Sequence, residues 1–203
     1  MSGQPEMLRK NKTAQTLFWL GMALYFLTRF IALDKFPIYF FSDEAIQTMS
    51  AFDLINRGFR DLQGNLLPVY FENGQQFNLS LSVWLQVPIA WLPRSVWLTR
   101  GLPALISLVF PLSVSLWARN FTKSKHWWLV SLIISAVPTW FLHSRTAFET
   151  SLGVSFYSLF LFYYLKYRLQ KRKNLPPALL FGACAFYSYA PLQLVVVATG
   201  LAL

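Results

Sequence analysis

Long apolar runs, each flanked by a cluster of basic residues, constrain this chain more than any other feature of its sequence. Only 13% of the residues are charged and 55% are hydrophobic, whereas a soluble domain carries about 25% charged residues. Basic clusters beside apolar runs are typical of cytoplasmic loops in membrane proteins. They hold eleven of the eighteen Lys and Arg residues: Arg9, Lys10 and Lys12; Arg119, Lys123 and Lys125; Lys166, Arg168, Lys171, Arg172 and Lys173. The pattern predicts an integral membrane protein with a cytoplasmic N-terminus. It does not identify the membrane, and the plasma (inner) membrane is the location that we expect.

The apolar runs predict an all-α fold, a polytopic transmembrane helix bundle that forms one unit over residues 1–203. The predicted spans are residues 17–33, 96–117, 127–142, 149–165 and 178–203. Residues 34–95 form a long first outer loop that carries juxtamembrane helices. Residues 79–92 are assigned to this loop because a run of about 14 residues is shorter than the roughly 20 that cross the hydrocarbon. This assignment also places every basic cluster on the cytoplasmic side.

The net charge of +10 does not indicate nucleic acid. Binding to phosphates requires a solvated face that carries many basic residues together, and here they are divided among short loops. Cys184 is the one cysteine of the chain, so an intramolecular disulfide and a Cys-rich metal site are excluded.

Charged residues near the predicted outer ends of the spans are the candidates for a site. Arg29, Arg100, Arg145 and Glu149 fall there, on the same side as the neighbouring acids Asp43 and Glu44. Arginines near span ends also extend to lipid headgroups without further function. Six of the eight acids lie in the outer loop, and this joint placement favours a site on the outer face.

A helix is predicted to begin at Ser42, which can cap it, with Asp43 and Glu44 in its first turn. Its apolar face is predicted from the spacing of Ala45, Ile46, Met49, Phe52 and Ile55, and its end lies near Gly58. Capping and favourable interaction with the helix dipole are the ordinary explanation for two acids in this position.

Five segments in this order resemble the GT-C superfamily of polyprenyl-phosphate-dependent glycosyltransferases. The similarity is greatest to family 39, which contains protein mannosyltransferase and aminoarabinose transferase relatives. The Asp43-Glu44 pair after the first span resembles the family's acidic pair. The other segments are Asn73-Gly74-Gln75-Gln76-Phe77-Asn78-Leu79, Thr99-Arg100-Gly101-Leu102-Pro103-Ala104-Leu105, His143-Ser144-Arg145-Thr146-Ala147-Phe148-Glu149 and residues 182–189. Gly101 departs from the family's Arg-Leu-Pro pattern. Family members are usually longer, so we expect an N-terminal fragment.

The resemblance implies a hexosyl- or pentosyltransferase of the cell envelope. Such an enzyme moves a sugar from a polyprenyl-phosphate donor to a lipid, glycan or protein acceptor on the outer face. It implies Asp43 as the catalytic carboxylate, with Glu44 holding substrate or a neighbouring arginine. Arg100 and Arg145 suit the donor phosphate, because guanidinium groups bind phosphate oxygens in pairs.

Three further residues are assigned to a substrate groove, and each has a structural alternative. Glu149 lies four residues after Arg145, a spacing that equally predicts an ion pair between them. Tyr187 and Tyr189, placed midway along the last span, are either groove residues or helix-packing aromatics. No cofactor is predicted with certainty, and a divalent metal stays open. The alternatives to an enzyme are a noncatalytic or truncated membrane subunit and a component of a lipid or solute transporter.

Overall fold

The computed structural model describes residues 4–73, 76–170 and 172–202, and the side chains of Arg9 and Lys10 lie outside that description. Gly74 and Gln75 of the predicted loop motif, Lys171 of the third basic cluster and Leu203 also lie outside it. The fold is mostly helical, with 71% of residues in helices, as the sequence predicts. The helices are α1 Gln4–Phe30, α2 Ser42–Asn56, α3 Ser80–Ala90, α4 Val96–Ser107, α5 Val109–Asn120, α6 Leu129–Ala136, α7 Pro138–His143, α8 Glu149–Leu169, α9 Leu175–Phe186 and α10 Ala190–Ala202.

Helices α4 and α5 form one continuous rod over Val96–Asn120. Leu108 joins them with helical backbone angles. Among the described helices, this rod is the one that is both long enough and apolar enough to cross a membrane. Helix α1, with 27 residues, and helix α8, with 21, are also long, but their sequences are more polar.

Two predicted spans are not single helices. Residues 127–142 contain α6 and α7, which are separated at Val137, the residue before Pro138. A residue before proline is driven out of the helical region, and Val137 is extended with ψ of 114°.

The predicted span at residues 178–203 is the second one that is not a single helix, because helix α9 ends at Phe186 and α10 begins at Ala190. Ring contacts of Phe181 with Phe156 and Tyr163, and the hydrogen bond between Tyr157 and Thr199, show that both helices pack along α8. The sequence suggested one span because its apolar composition continues through the connection.

The predicted outer loop contains the expected helices α2 and α3 and one element that the sequence did not predict. This element is an antiparallel hairpin of strands β1, Tyr70–Asn73, and β2, Gln76–Leu79, in which Tyr70 pairs with Leu79. Helices α2 and α3 pack together around a cluster that includes Ala51, Leu54 and Val83. The loop is therefore a folded layer with its own small core.

Helix α2 differs from its prediction at its start and on its buried face. Phe41, and not Ser42, occupies the N-cap position. The buried residues are Glu44, Gln47, Ala51 and Leu54, whereas the predicted face residue Met49 is 44% exposed. Two polar residues on the buried face caused this error, because hydrophobic spacing does not count them.

Helix α1 packs against α6 and α4 through small residues and a buried tyrosine. A Cβ atom at Gly21 would lie 2.3 Å from Ser131 Oγ, so this position requires glycine for the close approach of α1 and α6. Tyr25 is fully buried, donates its hydroxyl to Ser107 Oγ at 3.0 Å and accepts a hydrogen bond from Trp140 Nε1 at 2.8 Å. These contacts join α1 to α4 and α7.

Candidate functional site

A buried ion pair between Glu44 of α2 and Arg100 of α4 is the centre of the site. Arg100 Nε donates to Glu44 Oε1 at 2.9 Å, and Arg100 Nη2 donates to Oε2, also at 2.9 Å. Both residues have 0% exposure. In such a pair, two parallel charge-assisted hydrogen bonds satisfy the guanidinium and the carboxylate inside the fold, where water does not reach them. The predicted alternative for Glu44, holding a neighbouring arginine, is thus the one observed.

Glu44 also fixes two backbone amides. Its Oε2 accepts the N–H of Phe41 at 3.1 Å, which caps the start of α2. Its Oε1 accepts the N–H of Ala147, between α7 and α8, at 2.9 Å. One carboxylate therefore joins three distant parts of the sequence. Each of its two oxygens accepts two hydrogen bonds from protein groups.

Arg100 uses its remaining donors on the backbone between α1 and α2. It donates from Nη1 to the carbonyls of Leu33 at 3.2 Å and Pro37 at 2.9 Å. It also donates from Nη2 to the carbonyl of Tyr39 at 2.7 Å. A guanidinium has five N–H groups, and the five acceptor contacts of Arg100 account for all of them.

Arg145, between α7 and α8, acts on the end of α1 in the same way. Its guanidinium donates to the carbonyls of Thr28, Arg29, Ile31, Ala32 and Phe36. The last carbonyls of a helix lack hydrogen-bond donors within the helix, and the Arg145 guanidinium supplies donors to them. Burial, followed by the nearby charges of Arg29 and Arg100, lowers the pKa of Arg145.

Arg29 completes the group with fewer hydrogen bonds. It has 0% exposure, and its guanidinium lies 4.2 Å from the ring centre of Tyr25 and 4.8 Å from that of Phe141. It donates to Thr28 Oγ1 at 2.9 Å and weakly to the Ser135 carbonyl at 3.4 Å. Its Nε has no acceptor among the described residues. We call Arg29, Glu44, Arg100 and Arg145 the arginine end of the fold; it holds three cations and one carboxylate.

Asp43 behaves differently from its neighbour. Its side chain is exposed and makes no hydrogen bond or ion pair with the described part of the chain. Its negative charge repels the carboxylate of Glu149, at the start of α8. The Glu149 Oε1 atom lies 3.5 Å from the Ser82 hydroxyl of α3. Asp43, Ser82 and Glu149 thus come together from three helices beside the arginine end.

The predicted groove tyrosines lie in the connection between α9 and α10 rather than midway along a helix. The carbonyl of Tyr187 accepts the N–H of Leu81 at 3.1 Å, next to Ser82, and its side chain is 39% exposed. Tyr189 is half-buried, and its Cβ packs over Gly153 of α8. Tyr187 is therefore near the Ser82 and Glu149 side of the site, and Tyr189 packs against α8.

The arginine hydrogen bonds bear on two sequence predictions. The predicted ion pair of Arg145 with Glu149 is wrong for this structure, because every Arg145 donor is directed to a backbone carbonyl. Phosphate binding by Arg100 and Arg145 stays a prediction, and it would require exchange of these hydrogen bonds. Sequence reasoning placed Arg29 with the other candidates at the outer ends of the spans but assigned it no role. It also missed the Ala147 amide, which no side-chain pattern can reveal.

A second concave surface lies in the outer-loop layer, between α2 and residues 60–72. It is lined by charged residues, including Asp53, Arg60 and Glu72, and by apolar residues that include Phe71. Hydrogen bonds from Asn65 lower the pKa of Asp61 at its rim. Within the described residues, no three His, Cys, Asp or Glu side chains are grouped for a metal. The predicted divalent metal stays a prediction.

The site therefore belongs to a mostly helical protein in which, among the described helices, one is long and apolar enough to cross a membrane. Comparisons with known proteins found no matching family model, no matching curated protein and no matching solved structure.

Proposed function

We propose that this chain is a membrane glycosyltransferase, or part of one, that moves a sugar from a polyprenyl-phosphate donor to an acceptor. The observation that carries the proposal is the exposed and unpaired Asp43, which lies beside Glu149 and directly precedes Glu44, the partner of the buried Arg100. A free carboxylate at a cationic helix end suits proton removal next to a departing phosphate.

In this reaction an acceptor hydroxyl oxygen attacks the anomeric carbon of the donor sugar. The hydroxyl proton passes to the Asp43 carboxylate as the new carbon–oxygen bond forms. The bond from the anomeric carbon to the phosphate oxygen breaks, and polyprenyl phosphate leaves with the electron pair. General base catalysis of this kind contributes about 10²–10⁴-fold in rate.

The arginine end supports the leaving phosphate by its field. Within the arginine end, Arg29, Arg100 and Arg145 carry three positive charges and Glu44 carries one negative charge, so the group is net positive. Positive potential in a poorly hydrated site concentrates anions and stabilises charge that develops during reaction. Direct hydrogen bonds from Arg100 and Arg145 to phosphate are a further step that requires release of the carbonyls they now hold.

Glu149 and Tyr187 are proposed to contact substrate. Glu149 lies next to Ser82 and interacts with Asp43, and the Tyr187 side chain is partly exposed on the same side. Carboxylate, hydroxyl and aromatic groups together are suited to the polar edges and apolar faces of a sugar. Tyr189 is proposed to support this surface by packing on α8.

The proposal places the site on the outer face of a polytopic bundle in the plasma membrane. Helix Val96–Asn120 is long and apolar enough to span it. The exposed residues Lys123 and Lys125 then follow on the cytoplasmic side. Because Arg100 is in the first turns of this helix, the arginine end lies at the opposite surface.

Turnover of defined lipid donors tests the proposal. The purified protein is incubated in lipid nanodiscs with polyprenyl-phosphate mannose, glucose or aminoarabinose and with native envelope acceptors, and released polyprenyl phosphate is measured. We expect release with one donor and a loss of at least about 100-fold in Asp43→Asn. The control variant is Asp34→Asn, an exposed acid of the same connection, which should retain full turnover.

Two outcomes would overturn the proposal. Turnover that is equal in Asp43→Asn and the unmodified protein would remove Asp43 as the base. Absence of turnover with every donor would favour the noncatalytic subunit. A transporter component is less well supported, because transport charges line a pathway near mid-membrane, whereas these charges gather at one end.

A further inference from the structure

The connection between α1 and α2 exposes a continuous apolar surface to its surroundings. Ile38 is 80% exposed and Tyr39 is 76% exposed, and Phe36, Phe40 and Phe41 are each about two-fifths exposed. The run from residue 36 to residue 41 contains no charged residue. Exposed apolar patches of this kind mark surfaces that bind protein or membrane. We call residues 36–41 the aromatic loop.

The backbone of this connection is arranged for an apolar environment. Arg100 donates hydrogen bonds to the carbonyls of Leu33, Pro37 and Tyr39. Arg145 donates to the carbonyls of Phe36, Ile31 and Ala32 in this connection, as well as to carbonyls in the last turn of α1. Backbone polar groups next to lipid must be satisfied within the protein, because hydrocarbon offers no partner. Two buried arginines thus satisfy carbonyls that an aqueous loop would leave to water.

The aromatic loop continues an apolar face of α1. Leu24, Leu27 and Ile31 on this helix are 47%, 51% and 65% exposed. The first residue of the loop, Phe36, contacts Phe141 of α7, and its last residue, Phe41, contacts Phe148, which directly precedes α8. The exposed Lys35 precedes the loop. Aromatic rings with a nearby cation are typical of the boundary between lipid headgroups and hydrocarbon.

We propose that the aromatic loop inserts into the membrane at the headgroup boundary and seats the start of α2 on the lipid surface. Its occupant is the bilayer, chosen because the loop is continuous with the apolar face of α1 and because buried arginines satisfy the carbonyls of Phe36, Pro37 and Tyr39. The insertion holds Asp43, two residues after the loop, at the level where lipid phosphates lie. This inference concerns membrane contact, and its test does not depend on enzymatic activity.

Fluorescent labelling measures the insertion directly. Single cysteines replace Ile38, Leu62 and Leu27 in a Cys184→Ser background, and each carries the environment-sensitive dye NBD. Leu62 is the matched control, because it is 61% exposed but lies in the outer-loop layer. Leu27 is the control within α1. Nanodiscs of phosphatidylcholine and phosphatidylglycerol contain doxyl-labelled lipid as the membrane quencher, and iodide is the aqueous quencher.

We expect doxyl lipid to quench the dye at positions 38 and 27 and iodide to quench it at position 62. Strong iodide quenching at position 38, equal to that at position 62, would overturn the proposal. A dye at position 38 that neither quencher reaches would also overturn it, because a second copy of the chain would then cover the loop. Tyr39→Cys repeats the measurement if labelled Ile38→Cys unfolds at a lower temperature than the background protein.

Discussion

Basic residues at the two ends of this fold are used in opposite ways. At the arginine end, Arg100 and Arg145 are buried and direct all of their N–H groups to protein acceptors. At the other end, Arg119, Lys123 and Lys125 are exposed, and Arg119 lies over the ring of Trp127 at 5.0 Å. The buried set defines how the helices and the connection between α1 and α2 fit together. For the exposed set we expect little effect on the fold and, under the proposal, an effect on orientation in the membrane.

The difference shows that the role of a charged residue near the end of an apolar helix has to be inferred from the groups that it contacts. A buried charge without a partner costs several kcal/mol, so Arg100 is tolerable only because Glu44 and three carbonyls surround it. An exposed lysine bears no such cost and tolerates replacement. The following substitutions are arranged from the largest expected effect to the smallest.

Arg100→Met is expected to destabilise the protein most, by about 3–5 kcal/mol, because it leaves the Glu44 carboxylate buried without its partner. Thermal unfolding of the purified protein in detergent measures the effect. The matched control is Arg119→Met at the exposed end, which should change stability by less than about 0.5 kcal/mol. Similar melting temperatures for the two variants would contradict the distinction between the ends.

Arg145→Met is expected to cost about 2–3 kcal/mol, since it removes hydrogen bonds from a charged donor to the end of α1. Arg145→Lys should recover part of this loss, because lysine keeps the charge but lacks the planar fork. The two variants are compared by the same unfolding measurement. Full recovery with lysine would show that charge alone, and not the set of carbonyl contacts, holds the helix end.

Tyr25→Phe is expected to cost about 1 kcal/mol, because its hydroxyl bonds with Ser107 and Trp140 inside the helix contacts. Tyr39→Phe is the control, since Tyr39 is 76% exposed. Chemical denaturation can resolve the difference between them. An equal effect of both changes would mean that the buried hydroxyl contributes nothing measurable.

Lys123→Gln with Lys125→Gln is expected to leave the free energy of unfolding within about 0.5 kcal/mol. Their role in orientation is tested by a cysteine at Asn65, in the outer-loop layer, with Cys184→Ser. The Asn65 cysteine should be labelled from outside intact cells in the unmodified protein, and a smaller fraction should be labelled in the lysine double variant. Labelling only after permeabilisation, already in the unmodified protein, would reverse the proposed orientation.

The sequence predicted the helical class and the existence of helices α2 and α3, because the overall apolar composition of a segment is a local signal. It failed where the structure depends on distant partners or on backbone groups. The continuous apolar run 178–203 hid the break near Ser188. The buried Glu44 and Gln47 made the wrong face of α2 look interior. The roles of Arg100 and Arg145 depend on carbonyls, which every residue carries and no sequence pattern marks.

The division of work between two adjacent acids is the central claim. Glu44 is buried and pairs with Arg100, whereas Asp43 is exposed and is proposed to act on substrate. The most direct test compares the melting temperatures of Glu44→Gln and Asp43→Asn in the same nanodiscs. We predict that Glu44→Gln loses about 3–5 kcal/mol of stability and that Asp43→Asn changes it by less than about 0.5 kcal/mol. Equal losses, or a larger loss for Asp43→Asn, would contradict the account.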